Sequence, residues 1–94
     1  MISAREAWRI GFVNEVMPAG DLIACAVEIL NRIAGNATIA VRFALETVNK
    51  GIEASQDEGL LLEAFYFGLC AATEDMKEGT SAFIQKRIPQ FRGR

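Results

Sequence analysis

The sequence predicts an all-α chain of four to five short helices with one short extended segment. Three observations carry this. Apolar residues recur at helical spacing through most of the 94 residues. Capping residues stand in front of those runs and glycines behind them. Only Phe12–Met17 reads as a strand.

The elements follow in order. Ser3 with Glu6 forms a capping box for a first short helix, which Gly11 closes. Pro18 ends the extended stretch and Ala19–Gly20 turns the chain. Asp21 is a good N-cap for a second helix to Ala34, with Gly35 at its C′ position. The polar Asp21, Glu28, Asn31 and Arg32 form one narrow stripe, which predicts that most of this helix is buried. Asn36 is placed to cap a third helix from about Thr38 to Glu53. Its expected solvent face is Arg42, Glu46, Asn49, Lys50 and Glu53. Its expected buried face is Val41, Ala44, Leu45, Val48 and Ile52. Glu46 and Lys50 make a favourable i,i+4 pair.

Ser55 with Glu58 is a second capping box. The fourth helix, about Gln56 to Ala72, is apolar nearly all round and must be enclosed. Four or five short helices cannot enclose one of their own, so contacts beyond this chain are expected. Thr73 caps a last helix, Glu74 to about Lys86, with Glu74 and Asp75 where the helix dipole favours anions. Pro89 forces an extended tail. Counting Gly, about 60% of the chain is apolar, against roughly 45–50% for an ordinary domain. A chain this short hides only about 60–65% of its unfolded surface. The surplus points to a partner or a larger whole.

Composition excludes several functions. Without histidine there is no Ser–His–Asp or Cys–His machinery and no His-ligated metal. A net charge of −2 leaves no basic field for nucleic acid. Cys25 and Cys70 form no CxxC pair and read as reduced, buried thiols of a cytoplasmic protein. Arg5, Glu6 and Arg9 at the start argue against a signal peptide. The run Gly59–Cys70, broken by Glu63, is too short to span a bilayer, so no membrane role is expected.

Glu63 is the one candidate general base in an apolar setting. It reads more simply as a Glu that pairs with an Arg or reaches the rim of its helix. Glu74, Asp75 and Glu78 suggest a metal site, but read more simply as N-terminal helix charges. The tail carries Lys86, Arg87, Arg92 and Arg94, either a solvated, partly disordered end or an anion contact. Phe83 and Lys86, at i and i+3, put an aromatic beside a point charge. That suits a nucleotide carrying a phosphate. Phe65, Tyr66 and Phe67 fit a core.

Three stretches together resemble one family. Ile2–Pro18 (ISAREAWRIGFVNEVMP) is similar to the "ISA-x-EA-x-x-x-GLVN-x-V-x-P" segment of the crotonase (enoyl-CoA hydratase/isomerase) superfamily. Asn36–Asn49 resembles its "NSP-x-AV-x-x-AKE-x-VN" helix. Ala72–Phe91 resembles "ATED-x-x-EG-x-x-AF-x-EKR-x-P-x-F", the most specific of the three. Thr38 replaces a common Pro, Phe43–Leu45 replaces Leu-Ala-Lys, and Gln85 replaces Glu.

The resemblance covers the family's C-terminal part over residues 1–94 and implies its trimerisation region. The expected parent is an enzyme more than twice as long that hydrates or isomerises 2-enoyl-CoA thioesters in fatty-acid or related acyl-CoA metabolism. In that family two backbone N–H groups stabilise the thioester enolate and two glutamates handle water and the α-proton. All lie in an N-terminal spiral domain expected to be absent here. The sequence is therefore expected to be a fragment, inactive alone and without catalytic residues of its own. No cofactor or metal is implied beyond the CoA thioester substrate. The implied partners are acyl-CoA and further copies in a homotrimer or hexamer. Residues matching Phe83 and Lys86 help hold the adenine and 3′-phosphate end of CoA, usually from a neighbouring subunit, and Phe67 matches a position near the acyl pocket in some members. The alternative is a free-standing, non-catalytic helical oligomerisation module.

Overall fold

The computed structural model describes residues 1–94 and contains five helices and no strand. They are α1 (Ala4–Arg9), α2 (Leu22–Ala34), α3 (Thr38–Gly51), α4 (Gln56–Ala71) and α5 (Glu74–Gln85). The chain divides into two compact units, Met1–Asn31 and Arg32–Arg94, with the boundary in the last turn of α2. No single helix is long and apolar enough to cross a membrane.

In the first unit, α1 starts on Ser3, whose Oγ accepts the Glu6 N–H at 3.1 Å. The reciprocal half of the expected capping box is not made. Glu6 instead takes the Arg9 guanidinium on both oxygens, at 2.6 and 2.7 Å, because a charged fork at i+3 outcompetes a backbone N–H. Gly11 ends α1 in the left-handed region, with φ 76°. The Phe12 N–H reaches the Ala7 carbonyl at 2.8 Å, and the Gly11 N–H the Trp8 carbonyl at 3.0 Å. These two bonds make a Schellman closure. The stretch read as a strand, Phe12–Met17, forms none: Phe12–Asn14 bends straight after the helix end, and Glu15–Met17 has no regular structure.

In the second unit, Asn36 does not cap α3. Its side-chain amide donates to the carbonyls of Arg32 and Ile33 at 2.9 and 3.2 Å, closing the end of α2. The N-cap of α3 is Ala37, which makes no side-chain cap bond. The helix ends at Gly51, two residues before the predicted end. α4 begins with the complete Ser55–Glu58 capping box, and Thr73 Oγ1 accepts the Met76 N–H at 3.1 Å to start α5.

α3 and α4 form an antiparallel hairpin, and its seam corrects the faces predicted for α3. Phe43 stacks on Tyr66 with ring centroids 4.9 Å apart. Glu46, placed on the solvent face by its charge, is half-buried and accepts from the Tyr66 hydroxyl at 2.6 Å. Half-buried residues of α4 fall at Gly59, Leu62, Tyr66 and Cys70, one stripe at helical spacing. Near the turn the helices meet at a glycine pair. A Cβ on Gly59 would stand 3.8 Å from the Gly51 Cα.

Of the apolar stripe predicted to be buried on α3, only Val41 is half-buried, and the rest points outward instead. Leu45 is 61% exposed and Ile52 78%, with Leu61 and Phe67 of α4 at 72% and 78%. In the first unit no residue of α2 is buried either. Both cysteines are half-buried and form no disulfide, rather than lying in a core. Only Ala7, Asp75 and Ala82 are fully buried.

Candidate functional site

The tail after α5 is built into the second unit, not solvated and partly disordered. Three acidic residues on the first two turns of α5 hold it. Asp75 is 2% exposed, and its carboxylate accepts the Arg92 and Gly93 N–H groups at 2.7 and 2.8 Å. The Asp75 N–H in turn donates to the Arg94 carbonyl at 3.0 Å. Glu78 takes the Arg87 guanidinium on both oxygens, at 2.6 and 2.8 Å, and the Gln90 N–H at 2.8 Å. Glu74 pairs with Arg94 at 2.8 Å. The Arg87 guanidinium and the Gln90 N–H hold the Glu78 carboxyl down at about 2. These carboxylates, read from sequence as dipole charges, act mainly as a clamp.

Glycine makes the clamp possible at two points. Phe91 lies against α5 at Gly79, where a Cβ would sit 3.3 Å from its ring. Gly93 takes φ 73° beside Thr38 at the start of α3.

The clamp frames Phe83 and Lys86. Phe83 is 85% exposed, with no packing role that would account for it. Lys86 does not continue the helix, so the pair is not a simple i,i+3 face. It occupies the left-handed C-terminal position, with φ 54° and ψ 38°. The Lys86 N–H bonds the Phe83 carbonyl at 3.2 Å, and the Arg87 N–H the Ala82 carbonyl at 3.0 Å. The Lys86 ammonium enters no ion pair, whereas Arg87 and Arg94 spend their charge on Glu78 and Glu74.

A second concavity lies between α3 and α4. Phe43, Thr47, Tyr66, Phe67 and Cys70 line an open, largely apolar groove, with Glu63 at its edge. Glu63 is exposed and pairs with no Arg, so it matches the rim alternative. Beside the groove, the Tyr66 hydroxyl joins Glu46 and Lys50, with Lys50 Nζ donating to Tyr66 at 2.9 Å. Arg42 reaches the same Glu46 at 3.0 Å. The Tyr66 hydroxyl, then Arg42 and Lys50, lower the Glu46 carboxyl to about 2. Sequence reasoning found the Glu46–Lys50 pair but not Tyr66, sixteen residues from Lys50, because no local spacing connects them.

The five helices, the clamped tail and the three sequence motifs define the C-terminal helical region of crotonase-fold proteins, the part of the solved relatives that this chain matches. The chain belongs to the enoyl-CoA hydratase/isomerase family, whose model matches residues 1–94. It is 43% identical over 94 residues to the short-chain-enoyl-CoA hydratase of Clostridium acetobutylicum, covering 99% of this chain and 36% of that one. It is 37% identical over 93 residues to the 2,3-dehydroadipyl-CoA hydratase of Escherichia coli, again 99% of this chain and 36% of the relative. Among solved structures, an enoyl-CoA hydratase/isomerase from Mycobacterium paratuberculosis superposes with a TM-score of 0.95 at 31% identity, covering 99% of this chain and 37% of that one. The enoyl-CoA hydratase of Bacillus anthracis gives 0.93 at 40% identity, covering 99% and 36%. The chain thus spans just over a third of the length of the curated relatives it matches.

Proposed function

We propose that this chain is the assembly and CoA-closing segment of an enoyl-CoA hydratase-like enzyme. The parent reaction is hydration or isomerisation of a 2-enoyl-CoA thioester in fatty-acid or related acyl-CoA metabolism. One observation carries the reading: a chain that matches its relatives over 99% of itself turns the apolar stripes of α3 and α4 outward. Exposed apolar stripes of this extent are interaction surfaces. Their partners in this reading are the catalytic part of the enzyme and neighbouring copies in a trimer or hexamer.

Phe83 and Lys86 are the CoA contacts. The exposed ring packs on the adenine and the unpaired ammonium meets the 3′-phosphate. Phe67, on the groove beside Tyr66, lies toward the acyl chain. None of the carboxylates has a catalytic role. Glu46, Glu74, Asp75 and Glu78 are all engaged within the fold, and Glu63 stands exposed at a rim. Two cysteines outside any disulfide fit a reducing, cytoplasmic setting.

Kinetics of Lys86→Ala in the complete enzyme test the ligand role. KM for the CoA substrate rises while kcat stays within about twofold; an unchanged KM removes Lys86 from the site. A crotonyl-CoA hydration assay on the 94-residue chain tests the division of labour. No turnover is expected, and a robust rate would show that the chain carries its own catalytic groups.

A further inference from the structure

Lys86 is the only non-glycine residue with positive φ. Helices usually place glycine here, because a Cβ in the left-handed region costs roughly 1–2 kcal/mol. Backbone strain of this kind concentrates at functional positions. A lysine that accepts it, and whose ammonium enters no ion pair, is kept for what its side chain reaches.

The residues on either side are tied together. Arg87 Nε donates to Gln85 Oε1 at 2.9 Å, across Lys86. The rest of the Arg87 guanidinium lies in the two-pronged bridge to Glu78, nine residues back on α5. Glu78 also takes the Gln90 N–H beyond Pro89. The turn is therefore fastened before and after Lys86, and rotating its backbone out of the left-handed region would break the bridge.

We propose that Glu78 and Arg87 are positioning residues for Lys86, locking the left-handed turn that presents its ammonium to a phosphate from the end of α5 that carries Phe83. The proposal rests on the reading of Lys86 as a CoA contact. It adds that the contact is preorganised by a bridge that touches no ligand. A flexible lysine at the same place would first have to be ordered, and that cost would appear as weaker binding.

Steady-state kinetics of the complete enzyme with an enoyl-CoA and with its 3′-dephospho analogue test it. Lys86→Ala is expected to raise KM about tenfold, in line with loss of one charge-assisted contact. Glu78→Gln and Arg87→Lys are each expected to raise KM about threefold, since both lose the two-pronged geometry. In all three, kcat is unchanged and the rise disappears with the dephospho substrate. Glu78→Gln combined with Lys86→Ala should be no worse than Lys86→Ala alone, because coupled residues are not additive. If Lys86→Ala raises KM but the bridge variants do not, or if the effects multiply, positioning is wrong and the CoA contact stands. If Lys86→Ala leaves KM unchanged, the underlying reading fails. Should Glu78→Gln fail to fold, Arg87→Lys, which keeps the charge, decides the matter by the same criteria.

Discussion

Gly11 and Lys86 occupy the same place in two helix endings. Each is left-handed, and each sits between the two backbone bonds of a Schellman closure. Gly11 adopts that conformation without a steric cost; Lys86 does not. Lys86→Gly should therefore raise stability, by up to about 1 kcal/mol after allowing for the extra freedom of an unfolded glycine. Urea unfolding measures this, and a loss of stability would mean that Lys86 packs favourably where it stands. Asp75 carries the opposite expectation. Its carboxylate is buried and satisfies two backbone N–H groups. Asp75→Asn keeps one acceptor and turns an N–H₂ toward a donor, which should cost about 2–3 kcal/mol. Hydrogen exchange at the Arg92 and Gly93 amides should quicken with it. Unchanged protection at both amides would show that the tail is held by something else. The difference in how readable these residues were is physical. Ser55, Thr73 and Gly11 act within a few residues, so their roles follow from sequence. Glu78 and Arg87 are nine residues apart, on either side of the left-handed turn that ends α5, and only that reversal of the chain makes them partners.

At the level of helices, the sequence placed all five, with ends displaced by one or two residues for α3, α4 and α5. It misassigned the faces of α3 for a definite reason. Apolar periodicity shows which side avoids water, not what will cover it. Within this chain the α3–α4 seam is aromatic and polar, with Phe43, Glu46 and Tyr66 at its centre, while Leu45 and Ile52 stand exposed. Among the carboxylates that tie segments together are Glu46 in the hairpin and Glu78 in the tail clamp. Both have pKa values lowered to about 2 in the fold, chiefly by the Tyr66 hydroxyl and the Arg87 guanidinium, against about 4.5 for a free glutamate. A lowered folded value means that the unfolded chain takes up protons first as pH falls. Their contribution is fully present above about pH 5 and is lost between there and pH 2. Thermal unfolding followed from pH 6 to pH 2.5 should show the decline beginning below pH 5, and Glu78→Gln should flatten part of it. A profile identical in Glu78→Gln would remove the clamp from the acid transition. Tyr66→Phe should cost about 1 kcal/mol, the net worth of a typical lost hydrogen bond.

On the scale of the whole molecule, the apolar surplus seen in the composition is exposed rather than buried. Only two apolar residues, both alanines, are fully hidden. The large ones on the outer faces of α3 and α4 are exposed, and proteins rarely leave such faces in water. The central proposal is that the chain is an assembly segment whose ligand contacts matter only when those faces are covered. Multi-angle light scattering on the purified 94-residue chain tests it most directly. The account predicts a mass that is a multiple of 10.3 kDa and rises with concentration. A well-behaved monomer of that mass at all concentrations, its apolar faces stable in water, would contradict it.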